Sequence, residues 1–168
     1  MTAKGGAVVV RAATAADAAH VARFIRELAR YEQLEHQLDL DEARLRDHLG
    51  GAQPACGALL AEIAGTPIGF ALFFPTYSTF RTQVCLHLED LFVLPERRGH
   101  GIGLALLRAV AAVAVQRGCP RLDWNVLDWN TPAIGFYEKQ GATLLRDWRV
   151  CRLDGQALAR CAAASAPA

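Results

Sequence analysis

The sequence predicts an α/β protein with a mixed sheet, and three observations carry that reading. Runs of alternating apolar and polar residues stand both before and after runs of helical period. In the second half, residues 84–93, 101–117 and 122–126 read as strand, helix and strand, one βαβ unit. Between that strand and that helix lies a charged turn with glycines at 99, 101 and 103.

Residues 8–11 form a short strand. Thr14 and Asp17 are spaced as an S/T-x-x-D/E helix cap, and Val21, Phe24, Ile25 and Leu28 then recur at helical spacing. Arg23, Arg26, Glu27 and Arg30 take the wet side, and the helix runs out near Tyr31 and Glu32. A second helix over 41–49 is stopped by Gly50 and Gly51. Strands at 58–63 and 67–74 flank a tight turn at Ala64-Gly65, whereas 75–83 fits no period and reads as a polar loop.

The strand at 84–93 changes parity. Val84, Leu86 and Leu88 are apolar on even positions, Leu91 and Val93 on odd ones. A slip of one residue places a β-bulge at Glu89-Asp90. The helix at 101–117 is apolar nearly all round, which predicts burial on most sides; Gly118 and Pro120 end it. Leu122, Trp124 and Val126 alternate with Asp123 and Asn125 as a strand. Asn130 or Thr131 caps the next helix, Pro132 suits its first turn, and the helix carries Phe136 and Tyr137 before Gly141. A closing strand at 148–153 and a last helix capped by Asp154 complete the chain, with frayed ends at 1–7 and 162–168.

At 168 residues and 52% hydrophobic, the chain is expected to form one domain, 1–168, with ample core. A formal net charge of +1 and the lack of a long basic run argue against nucleic acid. No secretory or transit signal opens the sequence, and the most apolar window, 102–115, is too short for a bilayer and is broken by Arg108, so no membrane is expected. Five scattered cysteines (56, 85, 119, 151, 161), with no C-x-x-C pair, read as reduced, mostly buried thiols of a cytoplasmic protein. The five histidines lack metal spacing, so no metal is expected.

Glycines leave backbone N–H groups unobstructed, and a helix N-terminus carries partial positive charge, so the turn at 97–103 is suited to a phosphate. Arg97 and Arg98 add full charges beside it. The P-loop signature needs Gly-Lys-Ser/Thr, which is missing. The dinucleotide fingerprint needs G-x-G-x-x-G, whereas this turn is G-x-G-x-G. A flexible glycine turn is the bland alternative. Arg98-Gly99-His100-Gly101-Ile102-Gly103 resembles the Arg/Gln-x-x-Gly-x-Gly/Ala loop of the GNAT superfamily of acyl-CoA-dependent N-acetyltransferases. Amine acetylation needs a base for the amine, a donor for the oxyanion and a proton for the departing thiolate. Glu89, a carboxylate in an apolar strand with an expected elevated pKa, is the candidate base, against a role as mere substrate anchor. Asp90 reads as structural. Tyr137 is the candidate acid, against a half-buried core tyrosine. Cys85 has no obvious activating partner, so direct transfer in a ternary complex is expected without an acyl-cysteine.

LEDLFV, RGHGIG, Trp129-Asn130, Phe136-Tyr137 with Gly141-Ala142, Trp148-Arg149 and the segment from Val10 to Glu32 stand in one order. Nearly the whole chain thereby resembles the diamine (spermidine/spermine) and thialysine N-acetyltransferases. The resemblance implies a GNAT-type mixed, mostly antiparallel twisted sheet flanked by helices, with a bulged central strand. It implies acetyl-CoA held by the backbone of Leu91, Phe92 and Val93, by the turn Arg98, Gly99, His100, Gly101, Ile102, Gly103 and Leu104, and by Asn130, Thr131, Pro132, Ala133 and Tyr137. It implies Tyr137 as general acid and Glu89 acting on the amine through water. Tyr31, Glu32, Glu89, Asp123, Trp124 and Asn125 would face the substrate, and the family is homodimeric. On residue type alone, Tyr31 and Glu32 are ordinary surface residues and Asn130 a helix cap.

Two departures bear on the substrate. Ser78-Thr79-Phe80 follows Tyr77 where polyamine-specific members carry an acid, and the shortened stretch before Trp148 leaves Asp147 as its acidic contact. The first favours a shorter amine such as thialysine over a long polycation, and the wording VLDWN at 126–130 leans the same way. Acetylation of a protein or peptide, and a non-catalytic acyl-CoA sensor, are the alternatives.

Overall fold

The structure, a computed structural model, describes residues 6–163. They form two compact units that divide after Asn125. The first unit holds a five-stranded sheet in sequential order: β1 (Val8–Ala12), β2 (Gly57–Ile63), β3 (Thr66–Ser78), β4 (Gln83–Val93) and β5 (Leu122–Trp124). Neighbours are antiparallel except β4 and β5, which run parallel across the connection through a helix. The expected mixed, mostly antiparallel sheet flanked by helices is borne out.

Helices α1 (Ala18–Tyr31), α2 (Glu42–Gly50) and α3 (Ile102–Gln116) belong to this unit. The apolar stripe of α1 meets the sheet through Val21 and Phe24, both fully buried, and Phe24 stacks on Phe70 of β3 at 5.6 Å between ring centroids. Leu45 and Leu49 of α2, Leu72 of β3 and Phe92 of β4 complete that core. Truncating a ring such as Phe24 to alanine would cost about 3–5 kcal/mol. Odd residues of β3, and those of β4 beyond Glu89, face the other way, toward α3: Gly103 approaches Val93, and the Arg117 guanidinium, just past α3, lies over Phe73. α3 buries a stripe of Ile102, Leu106, Leu107, Val110 and Ala114 and leaves Val115 exposed. Its apolar composition therefore overstated its burial.

Both ends of α1 are fixed. At its entry Thr14 and Asp17 make the expected capping box, and Arg11 of β1 donates to both Asp17 oxygens at 2.8 and 2.9 Å and to Glu62 of β2. That clamp holds the Asp17 carboxyl well below the usual carboxylate range. At its exit Gln33 takes a left-handed φ of 60°, with Leu34 N–H donating to the Ala29 carbonyl and Gln33 N–H to that of Arg30. This Schellman pattern folds residues 34–38 back toward the sheet.

β4 carries the expected bulge. Leu72 pairs with Asp90 but Phe73 pairs with Leu88, so Glu89 is the extra residue. The expected loop at 75–83 is shorter: β3 runs to Ser78 and pairs with β4 down to Gln83. Pro75 is tolerated because, by strand alternation, its nitrogen points to the β2 side, beyond Gly57 where β2 pairing begins.

The second unit holds α4 (Thr131–Lys139) and α5 (Gly155–Ala163). The closing strand expected at 148–153 does not form; the segment is irregular and exposed, with Trp148 at 75%. Alternation makes a strand only where a partner takes its backbone bonds, and none among the described residues does so. The thiols also differ from expectation: Cys85 alone is buried, Cys56 and Cys119 are intermediate, and Cys151 and Cys161 are exposed. Of the ends expected to fray, 1–5 and 164–168 lie outside the described residues, while Ala162 and Ala163 close α5. No helix among the described residues is long and apolar enough to cross a membrane.

Candidate active site

β4 ends at Val93, and a single 3-10 turn, Pro95–Arg97, leads to the glycine turn. Gly99 and Gly101 adopt φ of +77° and +78°, strained for any residue with a Cβ, and the space a Cβ would fill at either is open to 4 Å. Gly101 stands at the N-cap of α3, where no side chain caps and no acid occupies the first turn. The leading amides of Ile102, Gly103 and Leu104 thus open onto uncluttered space at the positive end of a 15-residue helix, a place chemically suited to a phosphate. His100 is exposed, its Nδ1 2.7 Å from the Arg98 carbonyl.

β4 and β5 pair only from Leu86 to Leu88, so pairing on that side stops where Glu89 bulges. The Leu94 amide donates to Ile68 of β3, so by strand alternation the backbones of Leu91 and Val93 face the other, unpaired side. The Val93 carbonyl accepts Arg98 Nε there at 3.0 Å. The Phe92 ring is buried against Phe24.

The bulge also decides which carboxyls meet. His87 and Asp90, one on each side of the bulge, face α1 together with Phe92. The Glu89 side chain is 53% exposed, with Oε2 3.6 Å from His87 Nε2, and the His87 ring packs on Phe74 at 5.2 Å. Asp90 instead lines a cavity of about 180 Å³ with Ile25, Leu28, Ala29 and Glu32 of the α1 end and Leu34, Gln37 and Leu38 of the returning segment. Burial, then the charges of Glu89 and Glu32, push the Asp90 carboxyl up to about 7. Burial also raises that of Glu32. A perturbed carboxyl thus stands at Asp90, which its sequence context cast as structural. The signal was present in the parity switch, because a bulge at 89 sends Asp90 to the face of His87 and Phe92.

The structure brings Tyr31, Glu32, Asp90 and Arg98 to one region of the first unit, with Glu89 beside them. Tyr31 and Glu32, indistinct by type, are half-buried at the α1 terminus, and the Arg98 guanidinium lies 4.5 Å over the Tyr31 ring. Asp123 is the register partner of His87 and accepts Arg121 Nε at 2.7 Å; Trp124 pairs with Leu88, and Asn125 follows. In the second unit Asn130 accepts the Ala133 amide at 3.3 Å as the N-cap of α4, Thr131 and Pro132 form its exposed first turn, and Tyr137 is half-buried against Phe136 at 5.1 Å. Gly141, at φ +87°, ends the segment with Ala142 N–H donating to the Tyr137 carbonyl.

A model of the Acetyltransferase (GNAT) family matches residues 21–142, which include both the glycine turn and Tyr137. A thialysine N-epsilon-acetyltransferase of Bos taurus is 38% identical over 162 residues, 90% of this chain and 95% of that protein. An L-ornithine N5-acetyltransferase of Arabidopsis thaliana is 31% identical, covering 89% of this chain and 85% of that protein. Among solved structures, an integron cassette protein from the mobile metagenome of V. cholerae superposes with a TM-score of 0.77 at 26% identity, over 92% of this chain and 97% of that one.

The raised Asp90 carboxyl makes a signed prediction. The folded chain holds this proton up to about pH 7, whereas the unfolded chain releases it near pH ~4. Stability contributed by the neutral form is therefore full below the unfolded value and lost as pH rises through the folded one. Asp90→Asn should stabilise the unliganded protein by about 1–3 kcal/mol at pH 8 and change it little at pH 4. Denaturant unfolding at both pH values checks this, and equal effects at both would contradict it.

Proposed function

The chain belongs to the acetyltransferase (GNAT) family, and from that premise we propose that it acetylates a primary amine of a short-chain diamino compound, using acetyl-CoA. One observation carries the choice of substrate: the apolar-walled cavity that ends in Glu32 and Asp90, one residue from Glu89. Two half-buried carboxyls attract a cation, while Leu28, Ile25 and Leu38 suit the methylenes behind it. About 180 Å³ is room for roughly six water-sized groups, a short chain rather than a long polyamine. The relatives named for thialysine and ornithine, both short diamino acids, support the same reading.

In this reading the far ammonium sits between Glu32 and Asp90, and its charge favours the ionised form of Asp90. The near amine lies at Glu89, which removes its proton through water. Glu89 fits that role by its position, as the solvent-reached residue of the bulge. Acetyl-CoA supplies an activated acyl group. The turn fits its pyrophosphate because two left-handed glycines leave open the space before the α3 amides. The backbones of Leu91 and Val93 take the pantetheine arm, and by the family resemblance Asn130 to Ala133 also contact acetyl-CoA. Tyr137 protonates the departing thiolate, a task suited to a phenol whose ordinary pKa is about 10. Transfer is direct, and proximity supplies much of the acceleration. We read residues 1–168 as one acetyltransferase domain, because the family match spans the division after Asn125, and as a cytoplasmic homodimer by the family resemblance.

Thiol release from acetyl-CoA, measured with thialysine, lysine, ornithine, putrescine, butylamine, spermine and short peptides, tests this reading. Short diamino compounds should exceed butylamine in kcat/KM by about tenfold or more, one missing charge contact. Preferred turnover of peptides or spermine would contradict it, and no release with any amine would favour a sensor.

Tyr137→Phe should lower kcat by about 10²–10⁴-fold while acetyl-CoA still binds. Turnover near that of the wild type would remove Tyr137 from the mechanism.

A further inference from the structure

Arg98 opens the glycine turn, and by position its charge reads as a phosphate contact. The structure uses the side chain differently. Its guanidinium lies over the Tyr31 ring at 4.5 Å and the Phe92 ring at 5.4 Å, while Nε donates to the Val93 carbonyl at 3.0 Å. The backbone is engaged as well, since the Arg98 carbonyl meets His100 Nδ1 at 2.7 Å. A guanidinium placed over an aromatic ring and bonded through Nε to a backbone carbonyl is held in position by two independent contacts.

We propose that Arg98 is a positioning residue for the amine: a strut from the end of β4 that acts through Tyr31 to set the adjacent Glu32 wall of the acidic cavity. The inference rests on reading that cavity as the amine site. Tyr31 ends α1 and Glu32 caps it, so the ring under Arg98 and the carboxyl facing Asp90 are adjacent residues. A displaced Tyr31 carries Glu32 with it. The left-handed Gln33 and the Leu34 to Ala29 bond then pass the shift to Leu34, Gln37 and Leu38, the outer wall. Arg98 thus joins the turn suited to the acyl donor to the wall that grips the acceptor.

Arg98→Met keeps much of the stem and removes the guanidinium. It should raise KM for a short diamine by about tenfold, within the 2- to 30-fold span of a stacked cation. The calorimetric Kd for acetyl-CoA should stay within about twofold, smaller than the loss of one charged contact. Tyr31→Leu should raise the amine KM to a similar degree, and the double variant should be no worse than either single one, because the pair acts as a unit. A larger loss in acetyl-CoA binding than in amine KM, or effects that multiply, would overturn the proposal. Hydrogen exchange reads the strut without turnover: amides 30–38 should exchange faster in Arg98→Met than in wild type. Unchanged exchange there overturns the strut even if every amine is a substrate. Faster exchange with no substrate found would sink the amine reading alone. If Arg98→Met fails to fold, Arg98→Lys, which keeps the charge but loses the Nε bond to Val93, decides the matter: a raised amine KM with faster exchange at amides 30–38 supports the strut, and wild-type values of both overturn it.

Discussion

One extra residue in β4 organises this molecule. Two antiparallel strands hold their side chains on alternate faces, and inserting Glu89 against the Leu72–Phe73 step moves every later residue by one. Leu91 and Val93 thereby reach the α3 face, Asp90 and Phe92 the α1 face, and Glu89 itself belongs to neither ladder. The pairing of β4 with β5 stops one residue earlier, at Leu88. An open backbone edge, an exposed carboxylate and a buried one therefore lie within a few residues of each other.

The carboxylates on either side of that slip have opposite environments. Glu89 is reached by water, while Asp90 is drawn under the α1 terminus into an apolar cavity with Glu32. An acid held partly neutral near physiological pH costs the unliganded fold some stability, because folding takes up a proton, and becomes an anion when a cation arrives. In the proposed reading such a site would discriminate by charge as well as by length, since a neutral chain of the same size gains nothing from ionising Asp90.

Much of this was legible in the residues, because the signals were local. The capping box at Thr14 and Asp17, the glycine turn and the parity switch each depend on a few adjacent positions. What was not legible depended on distant partners. Residues 148–153 alternate like a strand, yet alternation cannot say whether an edge is available. Pro75 looked like a loop residue, and only the position where β2 begins makes it tolerable in β3. Asp90 was passed over because its type suggests a bulge-holding side chain, and the α1 terminus that buries it lies far away in sequence. Arg98 was assigned to the turn that contains it, although its partners are Tyr31, Phe92 and Val93.

The central claim is that the first amides of α3, freed by Gly99 and Gly101, grip the pyrophosphate of acetyl-CoA while the bulge presents the acceptor amine. Hydrogen exchange followed by mass spectrometry, with and without saturating acetyl-CoA, tests this most directly. The account predicts slowed exchange across residues 99–106, reproduced by CoA but not by ATP or NAD. Unchanged exchange in that turn at saturation, or equal protection by an unrelated nucleotide, would contradict it.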